Sequence, residues 1–426
     1  MRTPDVLVAG AGPGGCVSAL QFAARGAQVE LIDPGGPDER RFSGEWIHPG
    51  GVHTLRAAGL PLDGPQFMRN HGFIVHTTDG DQPITLTHPD ATAISMPHHV
   101  LTEFLHHATQ DHPGITALTG HRVLSATPTG EAQTTNGHYR ARLVIGADGR
   151  TSAVRRALRP HEAHPIRLSH TAGLLLQGAD LPTEEYGHIF LGGPGPVLAY
   201  RLTPDLLRVT FDIPHPPPPA RAAARYVGHR YLPFLPRALR TALRTWLATG
   251  RRFQWAVNSF RPRTFYGQGR VALIGDALGH NHPLAAHGMT MAVMDAERLA
   301  HSPKLAHYAT QSAITWTPEH VAAVLCRLFI APDTTSQVLR DSLFTDWRTH
   351  PERARQAIQL LGVLDTRRTP VATTFLHTAL GTLRIAGPSG TPPSRWPASL
   401  KELLSWSAWL SSPHPPAQAE RGRGRG

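Results

Sequence analysis

The chain has 426 residues, 40% of them apolar, with 42 basic against 31 acidic side chains and a formal net charge of +11. That length accommodates two joined domains with sizeable cores, and no apolar run reaches the 18 or so residues of a membrane-spanning helix. Only Cys16 and Cys326 are cysteines, which argues against a disulfide framework, and the basic excess is arginine without a compact, aromatic-interleaved run, which argues against nucleic acid as a partner.

The first residues, MRTPDVLVAG, enter a strand at once and leave no room for a signal peptide, so a cytoplasmic location is expected. DVLVAGAGPGGCVSALQFAARGAQVELID, residues 5–33, reads as a strand over 6–8, a helix over about 14–24 and a second strand closing on Asp33. Gly10, Gly12 and Gly15 stand in G-x-G-x-x-G spacing. Gly10 permits the tight turn, Gly12 lets backbone approach a pyrophosphate, and Gly15 lets the helix pack on the strand. Pro13 and Gly14 open the helix, whose N-terminus offers free N–H groups and a positive dipole end. Asp33 falls where an acid hydrogen-bonds ribose hydroxyls. An NAD dehydrogenase would continue with alternating strands and helices. This chain instead reaches RRFSGEWIHPGG, where Arg41 is placed to meet a pyrophosphate as a fixed cation and HPGG turns into a helix.

RLVIGADGRTSAVRRAL, residues 142–158, predicts a strand ending at Gly146, Asp148 and Gly149, then a helix capped by Ser152. Arg155 is expected to pair with Asp148 across one turn. GRVALIGDALGHNHPLAAHGMTMAVMDAERLA predicts a strand over 271–274, a loop, and a helix from about Gly288. Here Gly275 precedes Asp276, an acceptor for a ribitol hydroxyl. Pro283 gives a rigid, donor-free wall beside a flat ring, and Gly288 and Met289 bring a helix N-terminus to that ring, where it stabilises an anion. His280, His282 and His287 with Asp276 invite a metal reading, but the chain has 27 histidines and such clusters arise cheaply, so no metal is expected. His282 and His287 are the candidate catalytic residues, lining the active-site face of this loop.

Together these three motifs resemble the flavoprotein monooxygenases of the p-hydroxybenzoate hydroxylase superfamily, most nearly the squalene epoxidase branch. That branch has the R-x-x-G-E and P-G-G pattern that Arg41, Gly44, Glu45, Pro49, Gly50 and Gly51 reproduce, an NSF segment as in NSFRPR, then GDA, HPL and GMT. The likeness runs over about residues 5–385. Two positions depart from the pattern: Ala285–His287 replaces a glycine-rich run, and His98 stands where an arginine is usual. The resemblance implies FAD held by Gly10, Gly12, Pro13, Gly14, Gly15, Asp33, Arg41, Val123, Asp148, Gly149, Gly275, Asp276, Pro283, Gly288 and Met289. It implies NADPH, NADH or a separate reductase as electron donor, and O2 as co-substrate. Oxygen would pass through a flavin C4a-hydroperoxide to an apolar, natural-product-like substrate, giving an epoxide or a hydroxyl.

The implied fold class is α/β, a Rossmann-like FAD-binding domain (1–75, 95–160 and 262–310) interleaved with an antiparallel-sheet substrate domain (76–94 and 161–261). A C-terminal helical region (311–412) and a disordered tail (413–426) follow. SLKELLSWSAWLSS, residues 399–412, reads as an amphipathic helix suited to packing on its own domain or to peripheral contact with an anionic membrane. Three rivals share the fold. A flavin-dependent halogenase would carry Trp-x-Trp and an N-terminal lysine, and the first lysine here is Lys304. An isoprenoid double-bond reductase would not consume O2, and a non-enzymatic prenyl-binding relative would be colourless.

Overall fold

The computed structural model describes residues 2–35, 43–302, 304–330 and 334–385. The chain forms two compact units, each assembled from separated segments.

The first unit comprises residues 1–69, 93–165 and 261–315. Its core is a six-stranded sheet in the order Gly267–Gln268, Val271–Leu273, Leu143–Gly146, Val6–Ala9, Val29–Asp33, Ile115–Thr119. All pairings are parallel except the edge pair Gly267–Gln268 with Val271–Leu273. Central strand VLVA is buried at every residue, as a parallel strand covered on both faces requires. Helix Pro13–Ala23 places Pro13 in its first turn, where the missing N–H costs nothing. Gly26, at φ +84°, turns the chain out of it. Helix His287–Ala300 packs on this first helix: a Cβ at Gly14 would lie 3.2 Å from the Ala292 Cβ. A three-stranded sheet, Val123–Ala126, Glu131–Thr134 and Gly137–Arg140, joins the same apolar core through Val123, Ala126, Ala132 and Tyr139.

The second unit comprises residues 70–92, 166–260 and those from 316 onward. Its seven-stranded sheet runs Gln254–Phe260, Ile166–Gln177, Leu206–Pro214, Val197–Thr203, Tyr186–Phe190, Gly72–His76, Ile84–Thr87. It is antiparallel except between Tyr186–Phe190 and Gly72–His76. Period-2 alternation sends Ala172, Leu174 and Leu176 to one face. There they meet helix Arg237–Ala248, which buries Leu239, Leu243 and Trp246 on one stripe. Burying each such leucine contributes about 1.5–3 kcal/mol. Helices Ser312–Ile330, Thr334–Thr349, Pro351–Leu361 and Arg368–Ile385 complete the C-terminal part. Among the described residues no helix is long and apolar enough to cross a membrane. The amphipathic segment at 399–412 lies outside the described residues.

Candidate active site

In the first unit Gly10 and Gly15 stand where backbone closely approaches backbone. Gly10 sits at φ +99°, and a Cβ there would meet the Ala147 carbonyl oxygen at 2.6 Å. A Cβ at Gly15 would lie 1.8 Å from the Gly10 carbonyl oxygen, so helix and turn touch through bare backbone. At Gly12, the residue capping the helix, a Cβ would meet nothing within 4 Å. The N-terminal end of helix Pro13–Ala23 is therefore open at Gly12. Asp33, at the end of its strand, accepts from the backbone N–H of Ala11 (2.7 Å) and Gly35 (2.8 Å), which ties the second strand to the turn. His106 contacts the Ala11 carbonyl at 2.8 Å through Nε2. Val123 is buried in the core within the three-stranded sheet. Arg41 lies outside the described residues.

Asp148 caps helix Ala153–Leu158. Its Oδ2 accepts from the N–H of Ala153 (2.6 Å) and Val154 (3.2 Å), while Oδ1 is buried without a hydrogen-bond partner. Burial raises the carboxyl's pKa despite those donors. Ser152 caps the same helix, accepting from Arg155 N–H at 2.9 Å. Arg155 corrects the sequence expectation. Its guanidinium turns away from Asp148 to Glu162 and to the carbonyls of Ala277 (3.0 Å) and Leu278. Glu162 meets the guanidinium with both carboxylate oxygens in a forked pair, whereas Asp148 Oδ2 is taken by two backbone donors; Glu162 also binds Arg261. Burial raises the Glu162 pKa, but the two arginines outweigh it and hold the group below its ordinary range.

Residues 275–278, read from sequence as loop, form a short helix. Gly275 lies at φ +56° and donates its N–H to Asp295 Oδ2 at 2.8 Å. Asp295 is fully buried and is held between Arg263 and Arg298. Arg263 also reaches the carbonyls of Gly275 (3.4 Å) and Gly279 (3.3 Å). The turn carrying Asp276 is thus held at both ends by buried charge. Asp276 itself is partly exposed and accepts from Arg150 Nε at 3.1 Å. Pro283 and Gly288 are exposed, and a Cβ at Gly288 would meet nothing within 4 Å. The N-terminal end of helix His287–Ala300 is open at that point. Met289 is buried, with Gly44 packed closely against it.

The candidate histidines are both buried. His282 Nδ1 accepts from the Leu284 N–H at 3.1 Å and so caps the turn Pro283–Ala285. His287 meets His48 edge-on, with ring centroids 5.1 Å apart. His48 in turn donates from Nε2 to the Ala285 carbonyl (2.8 Å) and from its backbone N–H to Thr290 Oγ1 (3.0 Å). These contacts brace Ala286, a non-glycine residue at φ +52° where the glycine-rich run is missing. His280 is buried next to Asp276. Burial pulls its pKa down to about 4, although the Asp276 charge acts the other way. Among the described residues no group of three or more metal-ligating side chains occurs.

The second unit contains a cavity of about 100 Å³ between the sheet residues Phe73, Val75, Leu86 and Ile189 and the C-terminal helices. Its lining is apolar apart from Thr374 and Thr378.

The residues missed by sequence reading are Arg150, Arg263, Asp295 and His48. One signal was available: Asp295 interrupts the apolar run MTMAVM, and a charge on a buried stripe demands a partner.

The sequence model of squalene epoxidase matches residues 140–387. The mouse squalene monooxygenase is 25% identical over 394 residues, covering 85% of this chain and 68% of the mouse protein. The 6-methylpretetramide 4-monooxygenase of Streptomyces rimosus is 30% identical over 320 residues, covering 68% of this chain and 73% of that enzyme. A probable FAD-dependent monooxygenase from Pseudomonas aeruginosa superposes with a TM-score of 0.62 at 21% identity, over 85% of this chain and all of that one, which shows a common fold. With its open glycine turn, its capped Asp148 strand end and its clamped Asp276 turn, the chain belongs to the squalene epoxidase family and is an FAD-dependent monooxygenase.

Proposed function

We propose that the first unit holds FAD and that the enzyme places one oxygen atom, as an epoxide or a hydroxyl, on a large, mostly apolar substrate. The observation that carries the apolar character of the substrate is the lining of the cavity in the second unit, whose walls are Phe, Val, Leu, Ile, Ala and Trp side chains with two threonines; at about 100 Å³ it takes only part of a large molecule, and the size of the substrate follows from the relatives. The named relatives agree in kind, since one acts on squalene and another on 6-methylpretetramide.

The chain's own residues fit a dinucleotide flavin. Gly12 leaves N–H groups open to the pyrophosphate, and Asp33 and Asp276 offer carboxylates for the ribose and ribitol hydroxyls. The open helix end at Gly288 is suited to stabilise negative charge on the ring. When bound, FAD supplies reducing equivalents taken from NADPH, NADH or a reductase and activates O2, by the C4a-hydroperoxide route expected from the resemblance. No protein nucleophile is required. His282 and His287 serve to hold the loop at Pro283 and Ala286, and we assign them positioning roles.

The test is NAD(P)H oxidation and O2 uptake by the yellow holoprotein, with mass analysis of the products. Prenylated or polycyclic compounds are expected to stimulate both and to gain one oxygen. Stimulation by small aromatic acids alone would refute the apolar-substrate reading. NADPH oxidation without O2 incorporation would replace the oxygenase reading by a reductase.

A further inference from the structure

The turn that carries Asp276 is gripped at its front by Asp295, which accepts the Gly275 N–H at 2.8 Å. Its far side leads to a different carboxylate. Glu162 stands just before strand Ile166–Gln177, and Arg261 just after strand Gln254–Phe260. Ile166 pairs with Phe260 in register, so the residues outside that pair are brought side by side and form an ion pair. Arg261 in turn exchanges two backbone hydrogen bonds with His280, at 2.8 and 3.0 Å. Glu162 also makes the forked pair with Arg155, whose Nη1 reaches the carbonyls of Ala277 (3.0 Å) and Leu278. These carbonyls end a short helix and have no further turn to accept from. One carboxylate therefore holds residues 277, 278 and 280 through two guanidiniums. Helix Ala153–Leu158 does not need it as a cap, because Asp148 and Ser152 already accept from its first N–H groups.

We propose that Glu162 is a positioning residue for the flavin. Through Arg155 and Arg261 it fixes the backbone on the far side of Asp276, and so sets where the Asp276 carboxylate meets the ribitol. The Asp276 side chain is 31% exposed and pairs with Arg150, itself 40% exposed, so its direction depends on the backbone beneath it. The Arg155 side chain is only 6% exposed, and a guanidinium so deeply buried keeps its place while its counter-charge stays. This rests on the proposed contact between Asp276 and FAD.

The experiment measures FAD affinity by flavin-fluorescence titration of the full-length FAD-free protein, as wild type, Glu162→Gln, Asp276→Ala and the double variant. Glutamine keeps the shape of the side chain and removes its charge. Glu162→Gln is expected to weaken FAD binding about tenfold, within the range for residues coupled in one network. In the Asp276→Ala background the same change is expected to cost less than about twofold, because the carboxylate it positions is gone. A role in folding alone would lower the melting temperature and leave FAD affinity unchanged, or reduce it by one factor in both backgrounds. Either result overturns the inference while the Asp276 contact stands. If Asp276→Ala binds FAD as the wild type does, the flavin reading of this turn fails and the inference with it. Should Glu162→Gln not fold, Arg155→Lys in the same two backgrounds decides the question with the same expected pattern. Lysine leaves Glu162 a cation but cannot fork to it and also reach two carbonyls.

Discussion

Alanine at Gly12 and at Gly15 should give opposite phenotypes, although the two glycines are three residues apart in one motif. A Cβ at Gly15 would stand 1.8 Å from the Gly10 carbonyl oxygen, where real contacts essentially never come under 3.0 Å. Either the turn or the helix must therefore retreat by about 1.2 Å, and both are backbone inside a close-packed core. Overpacking of that kind costs about 3 kcal/mol, at the upper end of the usual range. For a unit of this size that corresponds to a melting temperature lower by roughly 6–12 °C. At Gly12 the backbone lies at φ −70° and the space is empty. Gly12→Ala should lose about 0.5–1 kcal/mol of helix capping and little else. Its methyl, however, projects to the open side where the pyrophosphate is proposed to lie. Thermal melting of the FAD-free protein, paired with flavin fluorescence to measure FAD affinity, separates the two effects. Gly12→Ala should melt near the wild type yet bind FAD at least about tenfold more weakly, a loss of about 1.4 kcal/mol. If Gly12→Ala binds FAD as tightly as the wild type, the pyrophosphate does not pass over this turn.

Asp276→Ala should weaken FAD binding about 10- to 100-fold, the worth of a charged-acceptor hydrogen bond. Asp295→Asn should weaken it through the same turn, so flavin-fluorescence titration of the double variant should show less than additive losses. Acid should destabilise the second unit, because burial holds His76 and His88 neutral and lowers each pKa to about 4, with smaller contributions from the charges of His188 and His71 respectively. The unfolded chain takes up these protons near pH 6.5 and the folded one only near pH 4, so stability falls as pH drops through that window and levels below it. Chemical denaturation of wild type and His88→Leu between pH 7 and 4 should show a shallower slope in the variant, and parallel slopes would refute the assignment.

The parts of the site legible in the sequence are those whose physics is local. Gly10 and Gly15 are dictated by a turn and a helix within six residues of each other, and the Ser152 cap acts on an N–H three residues away. Strand and helix order followed from the same short-range patterns. The misread parts depend on partners that sequence distance conceals. Arg155 turns from Asp148 to a forked pair with Glu162, which Arg261, 99 residues further on, also joins. Asp295 reaches Gly275 across 20 residues and Arg263 across 32.

The buried charge at Asp295 in the first unit and the apolar cavity in the second suit the proposed tasks of each. In the first unit, Asp295 sits fully buried between two guanidiniums, an arrangement in which the cost of desolvating the charges offsets much of their attraction. What the ions add is direction: a carboxylate, a backbone N–H and two forked cations satisfy one another in few geometries, and Gly275 is fixed at a φ that only restraint and glycine make easy. In the second unit the cavity walls are apolar and non-directional. A cofactor that is the same in every turnover is suited to rigid polar fixing. A substrate that is large and mostly apolar is suited to a non-directional wall, so that substitutions in that lining should change which substrate is oxidised while leaving the affinity for FAD unaltered.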